Sequence, residues 1–112
     1  LEGKKFDTGK PMVSLIPTQP LIEVARVLTY GASKYDPYNW TKGIKWSRLM
    51  DAKLRHTLAF NSGEDLDPES GLPHLAHSIC SDLFLLEFMR THPELDDRYK
   101  PARLLDLDKI IR

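Results

Sequence analysis

The chain has 112 residues, a length that holds one domain and leaves no room for separate cofactor and substrate domains. Sixteen basic residues balance sixteen acidic ones, so it lacks the excess of Lys and Arg that drives non-specific binding to nucleic-acid polymers or anionic membranes. The single cysteine, Cys80, excludes an intrachain disulfide and a cysteine-rich zinc site, and it fits a reducing, cytoplasmic setting. No apolar run approaches the roughly 20 residues that a bilayer span requires, and no signal-peptide pattern opens the chain.

Residues 1–16 read as an ordered arm rather than a helix, because Gly9 and Pro11 interrupt any helical period. Thr18 is a plausible N-cap and Pro20 suits a first turn; Leu21, Val24, Ala25, Leu28 and Ala32 then recur at helical spacing. That spacing predicts a helix over about 19–33. A loop rich in turn formers and aromatics follows, from Lys34 through Tyr35, Asn39 and Trp40 to Gly43. A second helix is predicted over about 46–61, with Leu49, Ala52, His56, Ala59 and Phe60 on one stripe and Gly63 after its end. Glu64 to Gly71 form an acidic loop. A third helix starts near Pro73 and runs to about Arg90, and its half from Leu83 to Met89 is apolar almost all round. The tail, 93–112, has only Leu104, Leu105, Ile110 and Ile111 as late anchors, which allows a short helix docked on a neighbour. The fold expected is all-α: a small antiparallel helical bundle of three main helices, completed by oligomerisation that covers the apolar third helix.

Chemistry concentrates between residues 51 and 82. His74 and His77 are three apart and so share a helix face, as do Asp51 and Arg55 at a spacing of four. His56 falls nearer the apolar stripe, where a hydrogen-bonded core histidine is the plainer reading. Two antiparallel helices joined by the acidic loop would gather Asp51, Arg55, Glu64, Asp67, His74 and His77 into one small volume. Carboxylates suit Mg²⁺, and imidazole alongside them suits Mn²⁺ or Zn²⁺. The bland alternatives are a solvated acidic loop, a loop-capping His pair and a structural Asp51–Arg55 ion pair. Tyr35 and Trp40 either stack on a base or pin their loop to the core, while Asn39 could bond a base edge and Lys34 a phosphate. Lys10, in the arm, is open to the same two readings. A dinucleotide-binding fingerprint and a phosphate-binding P-loop are both absent. Cys80 reads as a buried, inert thiol.

Lys5-Phe6-Asp7-x-x-Lys10-Pro11, Tyr30-Gly31-Ala32-x-Lys34-Tyr35, Asn39-Trp40, Asp51-Ala52-x-Leu54-Arg55-His56, Gly63-Glu64-Asp65-x-Asp67 and His74-Leu75-Ala76-His77 occur in that order. As an ordered set over about 4–90 they resemble the phage-type dATP/dGTP diphosphohydrolase family. The resemblance implies a single MazG-like nucleotide pyrophosphohydrolase domain over 1–112. Such enzymes use Mg²⁺ or Mn²⁺ to release pyrophosphate from nucleoside triphosphates and assemble as dimers or tetramers. The MazG-like pattern places paired carboxylates on two successive helices. Here the third helix offers His74-x-x-His77 and the second offers Asp51 with Arg55-His56. Either the acidic loop replaces the missing carboxylates, or the protein binds and sequesters a nucleotide or cyclic nucleotide without turnover.

On the enzymatic reading the substrate is a purine nucleoside triphosphate. Glu64, Asp67, Asp51 and His77 would hold the metal, and His74, His77 or Asp51 would serve catalysis. Lys10, Lys34 and Arg55 would meet phosphates, while Tyr35, Asn39 and Trp40 would hold the base.

Overall fold

A computed structural model describes residues 2–100 together with Lys109, Ile111 and Arg112. The tail anchors Leu104, Leu105 and Ile110 lie outside the described residues. Among the described residues there are three α-helices and no β-strand: α1 (Thr18–Lys34), α2 (Trp46–Asn61) and α3 (His74–Thr91). The all-α expectation holds, and each helix lies within a residue of its predicted ends. The arm holds no α-helix: it turns at Asp7–Lys10, where the Lys10 N–H donates to the Asp7 carbonyl (3.0 Å), and again in a short 3-10 turn at Val13–Leu15. Thr18 and Pro73 shift by one place: the N-cap of α1 is Pro17 and that of α3 is Pro73 itself, neither with a side-chain cap bond.

α2 ends where its sequence says it should. The Gly63 N–H donates to the Phe60 carbonyl (2.9 Å) and the Glu64 N–H to the Ala59 carbonyl (3.1 Å). That paired closure needs a left-handed residue, and Gly63 supplies it at φ 101°. The chain then turns through the acidic loop and re-enters as α3, antiparallel to α2. Contacts run in opposite order along the two helices: His56 meets His74, Lys53 meets Asp82, and Leu49 packs with Phe88. α1 lies on the other flank of α3, through Val27 against Ala76 and Cys80.

Two small cores result. One joins Val27, Ala76 and Cys80; the other joins Trp46, Leu49 and the fully buried Phe88. Phe84 packs against both. The first-helix stripe is narrower than its sequence spacing implies. Val24 and Val27 are buried, whereas Leu21, Ala25 and Leu28 are exposed, because among the described helices α1 packs mainly on α3. Phe60, placed on the inner stripe of the second helix, is likewise exposed. The second half of α3 divides its apolar residues. Phe84, Leu85 and Phe88 turn inward, while Leu75, Ile79, Leu83, Leu86 and Met89 form an exposed line along the outer face.

The 35–43 loop contains a 3-10 turn at Asn39–Lys42 and folds back onto the second core. Gly43 makes that return possible. It sits at φ 91°, and a Cβ there would stand 2.6 Å from Leu95 Cδ1 and 2.9 Å from His92 Cδ2. The segment after α3 is pinned by Asp97, whose carboxylate accepts the Ser47 N–H (2.8 Å) and hydroxyl (2.6 Å) at the start of α2.

Candidate functional site

The C-terminal ends of α1 and α2 and the N-terminal end of α3 meet at one pole of the bundle, and the acidic loop closes over it. A cleft of about 730 Å³ opens there. Tyr35, Asn39 and Trp40 line it together with His56, Asp67, Glu69 and His77. That volume is in the range of small-molecule sites.

The acidic loop is shaped by its own hydrogen bonds. Asp67 Oδ1 accepts the Glu69 N–H (2.9 Å), and the Asp67 backbone pairs with Leu72 (2.8 Å) and Gly71 (2.7 Å). Ser70 Oγ accepts the Leu72 N–H at 3.1 Å and bonds His77 Nε2 at 2.7 Å. Asp67 Oδ2 lies 3.6 Å from the same nitrogen, too long for a hydrogen bond. Glu69 accepts from Tyr30 (3.1 Å) and Lys34 (3.0 Å), tying the loop to α1. Those two donors hold the Glu69 carboxyl below its usual range, and Glu69 in turn raises the Lys34 ammonium.

Three histidines cluster inside this frame. His74 is 4% exposed and has both ring nitrogens engaged: Nε2 with Glu64 Oε1 at 2.7 Å, and Nδ1 with His56 Nδ1 at 2.8 Å. The His56 ring lies parallel to that of His77, with centroids 4.4 Å apart and planes within 7°. Burial depresses both His56 and His77 below the ordinary histidine value, and their mutual proximity adds to the shift at His56. Both shifts favour the neutral ring. Cys80, which also borders the cleft, is pushed up to about 11 by burial and is a protonated thiol, in keeping with the inert reading.

His56, Asp67 and His77 each offer a ligand atom within 4.8 Å of the others. A carboxylate with imidazole fits Mn²⁺, and the carboxylate alone fits Mg²⁺. The His56 and His77 rings face each other in a parallel stack, so Asp67 with one of the two imidazoles would hold such a cation.

The predicted site residues separate into three groups. Asp67 and His77 come together as expected, and Tyr35, Asn39 and Trp40 share their cleft. Trp40 also stacks on Phe84 at 5.2 Å, so it does pin its loop to the core, while the Asn39 amide makes no hydrogen bond among the described residues. Lys34 borders the cleft but is spent on Glu69. Glu64 and His74 stand behind the cleft, bonded to each other, so His74 does not face a substrate. Asp51, Arg55 and Lys10 are exposed and do not line the cleft. The first two share a face as read, but it is the outer face of α2; Trp46, Leu49 and His56 mark the inner one. His56 is hydrogen-bonded on its stripe, as the plainer reading has it, and it also borders the cleft, which that reading did not include. Its stripe position is half-buried, and its neighbours there are histidines and a carboxylate rather than a purely apolar core.

The fold and the site define an all-α chain with a histidine–carboxylate cluster at the head of a helical hairpin, opening on a cleft with an aromatic and amide wall. It belongs to the dATP/dGTP diphosphohydrolase, N-terminal family, whose model matches residues 2–98. It is 43% identical over 98 residues to a protein of Salmonella phage PMBT28 named dATP/dGTP diphosphohydrolase, a match covering 88% of this chain and 33% of that protein. The chain therefore spans about a third of the length of the relative it matches. No solved structure matches it.

Proposed function

We propose that this chain binds a purine deoxynucleoside triphosphate in the polar cleft and, with a divalent cation, hydrolyses it to the monophosphate and pyrophosphate. The observation that carries the reading is one cleft lined by two kinds of side chain: Tyr35 and Asn39 can engage a base, and Asp67, His56 and His77 can engage the phosphates. The relative's name supplies the substrate class.

Asp67 and His56 would hold Mg²⁺ or Mn²⁺, which when bound supplies charge neutralisation for the phosphate oxygens. The parallel stack leaves the second imidazole for another task. His77 favours its neutral form and has Ser70 fixing its ring, so it is placed to accept the proton of a water attacking the α-phosphorus. In that step the new bond is water oxygen to phosphorus, the bond broken joins the α-phosphorus to the bridging oxygen, and pyrophosphate leaves. Lys34 would exchange Glu69 for a phosphate oxygen.

A second reading, retention without turnover, is favoured by one observation: Asp67 is the only carboxylate in the three-residue cluster, the others being imidazoles. Incubating the protein with dATP, dGTP, their ribose counterparts and a cyclic dinucleotide, with Mg²⁺ or Mn²⁺, separates the two by product mass. Monophosphate plus pyrophosphate supports hydrolysis; intact ligand co-eluting with protein supports retention; neither refutes both.

The exposed line Leu75, Ile79, Leu83, Leu86 and Met89 supports assembly with a second copy through α3, since apolar stripes of this length are normally covered. No helix among the described residues is long and apolar enough to cross a membrane. We place the activity in the cytoplasm of the infected cell, where its substrates are made.

A further inference from the structure

The Glu64–His74–His56 chain runs from solvent, through the buried side of α3, to the cleft wall. A carboxylate only accepts, so the proton of the 2.7 Å Glu64–His74 bond is carried by His74 Nε2. The 2.8 Å bond between the two Nδ1 atoms has room for one proton. If His74 is neutral, its Nδ1 is an acceptor and the proton belongs to His56. His56 Nδ1 then donates, and Nε2 carries the lone pair. If His74 bore a second proton instead, His56 Nδ1 would be the acceptor and its own proton would move to Nε2, closing that atom to any ligand. His56 borders the cleft, and its Nε2 has no hydrogen bond among the described residues.

We infer that Glu64 and His74 are positioning residues: together they hold the His56 proton on Nδ1 and keep Nε2 open as the imidazole ligand that joins Asp67 at the cation site. A carboxylate–imidazole pair behind a ligating histidine raises its basicity and fixes its ring. This explains why a histidine rather than an apolar residue is buried at position 74, facing α2. The inference rests on the cation reading above. Its test includes a measurement that does not depend on activity or on metal.

The test uses the whole chain with ¹⁵N-labelled histidine rings, metal-free, at about pH 8, above the ordinary imidazole value near 6.5. Wild type is expected to show His56 protonated at Nδ1 and bare at Nε2; the reverse assignment overturns the inference. Mn²⁺ affinity is then compared across His74→Leu, His74→Asn and Glu64→Ala, with helix content checked for each. His74→Leu is expected to lose about 10- to 100-fold, the usual effect of removing such a partner. His74→Asn, whose amide oxygen can still accept from His56 Nδ1, is expected to stay within about 3-fold of wild type. A folded His74→Leu that binds Mn²⁺ as tightly as wild type refutes the positioning role. Should that variant not fold, Glu64→Ala decides, because Glu64 is exposed and its removal leaves the helix packing in place. It should weaken Mn²⁺ at least 5-fold and mix the two His56 tautomers; unchanged affinity with an unchanged tautomer overturns the inference. Wild type that binds no Mn²⁺ overturns both the cation reading and the ligand role of His56.

Discussion

Asn39 and Trp40 are adjacent in sequence, and the fold packs Trp40 on the core while leaving the Asn39 amide unbonded among the described residues, so substituting each should move a different observable. Trp40 packs against the second core and stacks on Phe84 at 5.2 Å with planes within 17°. Fully buried Trp→Ala changes cost about 3–5 kcal/mol, and an aromatic pair contributes about 0.5–1.5 of that kind of energy. Trp40 is half-buried, so Trp40→Ala should cost about 3 kcal/mol, or roughly 10–20 °C in thermal midpoint for a chain of this size. Asn39 has no apolar area to lose, and its side chain bonds nothing among the described residues. Asn39→Ala should therefore leave the midpoint within a few degrees and weaken purine nucleotide binding by about 5- to 30-fold, the equivalent of about 1–2 kcal/mol. The assay is midpoint and nucleotide affinity measured side by side for both variants. A large midpoint loss in Asn39→Ala makes that residue structural, and unchanged affinity removes the loop from the site. A Trp40→Ala variant as stable as wild type contradicts the packing derived for the loop.

Burial holds His56 and His77 below the ordinary value near 6.5, so just below that pH the unfolded chain binds more protons than the folded one. Thermal stability should be level above about pH 7 and fall as pH drops below 6.5, and a double His56→Gln, His77→Gln variant should flatten that fall; a midpoint that rises on acidification refutes it. Gly43→Ala should destabilise by about 1–3 kcal/mol in denaturant titration, since the left-handed backbone and the Leu95 and His92 contacts both oppose a side chain. Light scattering should report a particle of two or more chains, and Leu83→Glu with Leu86→Glu should reduce it to one. A wild-type particle of single-chain mass refutes the α3 interface.

The helices were legible because their spacing and stop signals are strong and local. Gly63 ends α2, Pro73 precedes α3, and both act through backbone geometry that sequence carries directly. What was not legible was which face each helix turns inward. Asp51 and Arg55 satisfy a spacing rule on either face, and only the docking of α3 against Leu49 and His56 turns them outward. His56 looked like a core residue because a stripe position that packs toward α3 and one that borders the cleft share the same periodicity. The signal that could have found it is pairing. A buried imidazole needs polar partners, and an antiparallel hairpin closed by a short loop sets position 56 opposite position 74. The division of roles between Trp40 and Asn39 also depends on tertiary structure, since it follows from where Phe84 sits.

The most direct measurement is hydrolysis of dATP and dGTP with Mn²⁺ in oxygen-18 water, with products weighed for wild type beside Asp67→Asn. The expected result is one oxygen-18 in the monophosphate, unlabelled pyrophosphate, and a rate reduced by about 100-fold in the variant. Intact nucleotide with wild type, label in pyrophosphate instead, or an undiminished rate in Asp67→Asn would contradict the assignment of the cleft as the hydrolytic site.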